Sequence, residues 1–208
     1  MLLSLKKLLV SIRITNQIIL FLFYLDWLQS YDKLKALIHS KLNYNDSAEI
    51  LVVGCGNSTL SAELYNDGYT CITNLDFSRT LIEKWQEKYE AFEEMDFLEL
   101  DLCQPLDVID EDSFDMVIDK ATLDSILWGQ HIQERVTIMM NNIYRILAPG
   151  GVYICVSNGP PETREHIFKM KDWSIERGEI PIRDDLHTED SNACHYVYVL
   201  TKSGPINM

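Results

Sequence analysis

Apolar and polar positions alternate along this chain between two periods. Short apolar or alternating runs predict strands at Ile50–Val53, Cys71–Leu75, Phe97–Leu100, Phe114–Asp119, Val152–Ser157 and Tyr196–Thr201. Between and before them, the helical period predicts helices at Asp26–Leu42, Thr59–Asp67, Thr80–Phe92, Thr122–Trp128, Ile132–Leu147 and Glu162–Met170. Strands that take turns with helices make an α/β fold with a doubly wound, mostly parallel sheet. Ala148-Pro-Gly-Gly151 reads as a helix stop and a turn into the next strand. Asn158-Gly-Pro-Pro161 reads as another turn and a helix start.

In an open parallel sheet, ligands bind beyond the carboxyl ends of the strands. That rule puts Gly54–Ser58, Asp76-Phe77, Asp101-Leu102 and Asp119-Lys120 on one rim, each pair or loop following a predicted strand. The first strand breaks into Gly54-Cys-Gly56, where a missing Cβ lets backbone approach a ligand. Asp76 follows Gly56 by 20 residues, the spacing of a carboxylate that accepts ribose hydroxyls. The third glycine of a dinucleotide fingerprint is absent, since that position is Thr59, and no phosphate-loop sequence occurs. The Asn57-Ser-Thr59 helix start offers side-chain caps instead of a bare anion pocket. An adenosine ligand with an amino-acid end and no phosphates fits this turn; S-adenosylmethionine is one.

Charge narrows the partners. With 18 basic and 32 acidic residues, the net charge of −14 argues against nucleic acid and suits a basic protein partner. Cys55, Cys71, Cys103, Cys155 and Cys194 are odd in number, with no Cys-x-x-Cys pair, so no metal site is expected. Such scattered thiols suit a reducing compartment: the cytoplasm, with the mitochondrion as the alternative. Residues 1–23 form an atypical apolar and basic segment ahead of one domain spanning 24–208. Its uncharged run from Ile14 to Leu25 is too short to span a bilayer, so no stable membrane insertion is expected.

Four stretches carry a resemblance to a known family: Val52-Val-Gly-Cys-Gly-Asn-Ser58, Leu64-Tyr-Asn-Asp-Gly68, Asn74-Leu-Asp-Phe-Ser78 and Val117-Ile-Asp-Lys-Ala-Thr-Leu-Asp124. Together they resemble the class I, seven-β-strand methyltransferases. The last motif is similar to the branch holding the elongation factor 1-alpha and citrate synthase lysine methyltransferases. The resemblance implies a seven-stranded Rossmann-like sheet and S-adenosylmethionine as cofactor. It also implies a lysine of a protein, such as a translation elongation factor, as methyl acceptor. By the same resemblance Gly54, Cys55, Gly56, Asn57 and Ser58 shape the turn at the methionine end. Asp76 then holds the ribose, Phe77 lies against the adenine, and Asp101 and Leu102 border that ring. Lys120 lies near the methionine, and Trp27 helps close the pocket.

Asp124 and Asp119 are the candidate catalytic carboxylates, able to orient the attacking amine; their alternative role is capping the helix that follows the fourth strand. Two departures from the family stand out. Ala121 replaces a glycine, which one methyl permits only if φ there is negative. The aromatic pair that lids the cofactor is missing from Ser11–Ile18. That loss favours a non-catalytic interaction module, while the intact rim opposes it. A small-molecule methyltransferase is the remaining alternative.

Overall fold

The run Ile50-Leu-Val-Val53 is buried at every position, and its alternate side chains enter two different cores. Leu51 and Val53 join one cluster; Ile50 and Val52 join the other. A strand flanked by helices on both faces has no polar side to show, which is why the sequence reads as continuously apolar. The computed structural model describes residues 28–182 and 194–204. The expectations for residues 1–23 and for Trp27 fall outside them.

Seven strands form one sheet: β1 Ile50–Val53, β2 Ile72–Asp76, β3 Met95–Glu99, β4 Phe114–Lys120, β5 Leu147–Ser157, β6 Trp173–Pro181 and β7 Cys194–Lys202. Their order is β3-β2-β1-β4-β5-β7-β6, parallel except for β7, which runs antiparallel to both neighbours. Helices α1 Tyr31–Lys41, α2 Leu60–Asn66 and α3 Arg79–Lys88 bring Leu34, Leu64 and Ile82 to the Ile50 face. Helices α4 Thr122–Leu127, α5 Ile132–Ile146 and α6 Pro161–Phe168 bring Leu123, Ile143 and Phe168 to the Leu51 face. The doubly wound, mostly parallel seven-stranded sheet is the expected fold.

The differences have local causes. Helix α1 starts at Tyr31 and not at Asp26, because Leu28 turns the chain with φ 67 and Ser30 is extended. The segment Trp173–Pro181 pairs with β7 over its whole length although its pattern did not announce a strand. Arg177, Gly178 and Glu179 are all exposed, so the alternation that marks a strand is interrupted, as befits an edge. Pairing jumps from Phe114–Leu147 to Met116–Val152, so Ala148–Gly151 bulges out as the turn that Pro149 and two glycines require.

Register positions the site. Val53 lies level with Leu75 of β2 and Asp119 of β4, so the chain leaves β1, β2 and β4 along one line. Lys120 pairs with Val156, which extends the line to β5.

A candidate cofactor cleft at the carboxyl ends of the strands

Beyond that line lies a cleft of about 480 Å³. Its walls include Gly54–Ser58 after β1, Asp76 and Phe77 after β2, Leu100–Cys103 after β3, and Lys120–Thr122 after β4. Four loops that are distant in sequence thus converge, as the switch-point rule requires. Ten of the eleven residues expected to bind a cofactor lie in described segments, and all ten line this cleft.

Backbone geometry explains the glycines. Gly54 and Gly56 have φ of 58 and 53, in the left-handed region that an L side chain enters only with strain. At Gly54 a Cβ would also stand 2.2 Å from Thr122 Oγ1. That hydroxyl donates to Val53 O at 2.8 Å and ties the end of β1 to the start of α4. Thr122 belongs to the motif after the fourth strand, but its role against Gly54 had no sequence signal.

Two backbone N–H groups hold Asp76 at the cleft wall. Its Oδ2 accepts Gly56 N–H at 3.0 Å and its Oδ1 accepts Ser78 N–H at 2.9 Å. Each oxygen keeps further lone pairs. Asp101 accepts Cys103 N–H at 2.9 Å in the same manner, while Phe77 stands 77% exposed at the mouth. Burial and the neighbouring Asp76 push the Cys55 thiol up to about 12, so it stays a neutral small hydrophobe. Lining residues that were not anticipated include Ser125, Ile126 and Arg135, the last reaching in from α5.

The two candidate catalytic carboxylates are both engaged by protein groups. Asp119 is fully buried, accepts Thr122 N–H at 2.7 Å and Leu123 N–H at 3.1 Å, and takes the Tyr153 hydroxyl at 2.8 Å. It is the cap of α4. Burial pushes its carboxyl up to about 7 against the pull of those three donors. Asp124 points toward the end of β5, where it accepts the Ser157 hydroxyl, Asn158 N–H at 2.8 Å and Arg164 Nη2 at 2.9 Å. Neither lines the cleft. Donors on protein groups engage both carboxylates: Asp119 has the capping arrangement named as its alternative, and Asp124 ties α4 to the end of β5.

Ala121 differs from expectation too. Its φ is 73, the left-handed value that the glycine of related motifs would adopt freely. Among the described residues no group of His, Cys, Asp and Glu could hold a metal ion. Nor is any described helix long and apolar enough to cross a membrane.

Residues 51–155 match the family model described as a methyltransferase domain. The chain is 30% identical over 193 residues to the mouse "eEF1A lysine and N-terminal methyltransferase", covering 87% of this chain and 27% of that protein. It is 29% identical over 197 residues to mouse "EEF1A lysine methyltransferase 4", covering 86% of this chain and 69% of the relative. The chain therefore spans about a quarter of the length of the first of these relatives. Among solved structures, a Burkholderia thailandensis 1,6-didemethyltoxoflavin-N1-methyltransferase with bound S-adenosylhomocysteine superposes with a TM-score of 0.62 at 16% identity, over 81% of this chain and 76% of that one. The N-methyltransferase NodS of Bradyrhizobium japonicum, in complex with S-adenosylhomocysteine, gives 0.60 at 14% identity, over 82% and 86%. At such identities the likeness speaks for the fold. With the cleft on the rim that this fold reserves for ligands, the chain belongs to the methyltransferase domain family.

Proposed function

We propose that this chain transfers a methyl group from S-adenosylmethionine to a lysine side chain of a protein, an elongation factor of the eEF1A kind being the first candidate. The observation that carries the reading is the convergence of Gly54–Ser58, Asp76 and Asp101-Leu102 on one cleft. In this reading Asp76 accepts the ribose hydroxyls, Leu102 and Phe77 flank the adenine, and Asp101 takes its exocyclic amine. The turn from Gly54 to Ser58 cradles the methionine end, with Lys120 beside it. When bound, the cofactor supplies a methyl group on a sulfonium, open to in-line displacement.

The protein's part is orientation and exclusion of water. A lysine amine, with a free pKa of about 10.4, must shed a proton before it attacks. Leaving water at the rim lowers that pKa and favours the neutral amine. Asp119 and Asp124 serve this chemistry indirectly, by fixing α4 and the end of β5 around the entrance. The net charge of −14 supports a basic protein as substrate, attracted over long range. The relatives' names support a lysine of eEF1A, and the five free cysteines support a cytoplasmic site of action.

The test is incubation of the purified chain with methyl-labelled S-adenosylmethionine and recombinant eEF1A, followed by mass spectrometry of the lysines. Methyl label on a lysine is the expected result. Label confined to small molecules in a cell extract would replace the protein substrate with a metabolite. No calorimetric heat with excess cofactor would overturn the enzymatic reading.

A further inference from the structure

The carbonyl of Gly56 is bonded from outside the cleft. Trp85, on α3, donates its indole Nε1–H to Gly56 O at 2.7 Å. The same glycine donates its N–H to Asp76 Oδ2 at 3.0 Å, and Asp76 Oδ1 takes Ser78 N–H at 2.9 Å. Gly56 is therefore fixed at both peptide planes, by one side chain from α3 and one from the end of β2. In a trans peptide the C=O and the next N–H point opposite ways. Anchoring Gly56 O toward Trp85 thus turns the Asn57 N–H away from α3.

The indole is itself immobilised. It is 5% exposed, stacks on Tyr89 at 5.4 Å with 26° between planes, and lies under the Lys88 ammonium at 4.5 Å. Such a donor costs little to hold in place, because its rotamer is already set by packing. Gly56 has no Cβ and a φ of 53, so without an anchor its peptide planes are freer than those of the loop residues that carry a Cβ.

Resting on the cofactor reading above, we infer that Trp85 is a positioning residue for the cofactor: it presets the Gly56–Asn57 peptide plane, and through Gly56 N–H the Asp76 carboxylate, in the geometry that binds the nucleoside and its amino-acid end. It touches no reacting atom. Its effect falls on affinity and leaves the methyl-transfer step alone.

Trp85→Phe keeps the ring and removes the donor. With S-adenosylhomocysteine as the calorimetric probe, the dissociation constant rises about 5- to 30-fold, the value of a part-buried carbonyl left without its donor. At saturating S-adenosylmethionine kcat stays within about twofold of wild type, since uniform binding was lost and not a transition-state contact. Trp85→His, which retains a ring N–H, recovers part of the affinity. An unchanged dissociation constant in Trp85→Phe, or a kcat that falls in step with affinity, overturns the inference. The wild-type protein gives a second measurement that needs no variant to fold. Coupling is reciprocal, so bound S-adenosylhomocysteine slows hydrogen exchange of the Trp85 indole proton about 5- to 30-fold. Equal exchange with and without the probe overturns the inference as well. Wild type that binds no probe at all would instead defeat the cofactor reading beneath it.

Discussion

Replacing Asp124 separates a carboxylate that supports the rim from one that meets substrate. Its Oδ1 accepts the Ser157 hydroxyl and Arg164 Nη2, and its Oδ2 accepts Asn158 N–H. Ser157 Oγ in turn accepts Arg164 Nε and Gly159 N–H, each at 3.0 Å. The Arg164 side chain is only 12% exposed, so removal of its partner strands a largely dehydrated guanidinium. Breaking a buried ion pair from one side costs about 3–5 kcal/mol. Asp124→Ala is therefore destabilised by about 3–5 kcal/mol, a large share of the ~5–15 kcal/mol that holds a domain folded. Asp124→Asn keeps the shape but turns an NH₂ toward a donor, at about 2–3 kcal/mol. Urea titration followed by circular dichroism reads both, with free energies from the midpoint and slope. Combining Asp124→Asn with Arg164→Met completes a cycle whose coupling is at least about 1 kcal/mol if the two side chains act as a pair. The opposite pattern refutes the reasoning: Asp124→Asn within about 0.5 kcal/mol of wild type, yet without turnover, would make Asp124 a substrate-facing group.

Three further outcomes follow from the same geometry. Asp119 holds its proton up to about pH 7 in the fold, whereas the unfolded carboxyl loses it near the usual value of about 3.9. Stability is then full below pH 4 and declines as pH rises through 7, by up to about 4 kcal/mol; Asp119→Asn flattens the profile, and parallel profiles for both proteins would refute this. Ala121 at φ 73 carries about 1–2 kcal/mol of left-handed strain, of which the entropy of an added glycine offsets about 0.4–1 kcal/mol, so Ala121→Gly raises Tm by roughly 1–4 °C; a calorimetric Tm at or below wild type counts against it. Gly54→Ala drives a methyl to 2.2 Å from Thr122 Oγ1, destabilising by about 2–4 kcal/mol and abolishing cofactor heat. Gly54→Ala with Thr122→Ala regains part of that stability, and a double variant no better than the single one shows that the clash is not the cause.

Much of the fold was legible because its signals are local. The run Ile50–Val53 declares a strand covered on both faces, and the Gly54-Cys-Gly56 break declares where it ends. Asp76 was found by spacing alone, since one βαβ step fixes how far the next strand end lies along the chain. The edge strand β6 was not legible, because Glu176–Glu179 is exposed and needs only β7 to hold it in place. Nor was the conformation of Ala121: its residue type argues for negative φ, and tertiary packing around the start of α4 overrides it.

Sequence by itself determined which residues reach the ligand rim, for a strand's apolar period and its length say where the chain leaves the sheet. Tertiary structure decided what each rim residue does there. Asp76 and Asp124 are the same side chain at the same edge of the sheet. One is propped by two backbone N–H groups and opens on the cleft; the other is consumed by Ser157, Asn158 and Arg164, between 33 and 40 residues away. A hydrogen bond acts only over about 3 Å, and no periodicity along the chain records which distant donor will arrive within that reach.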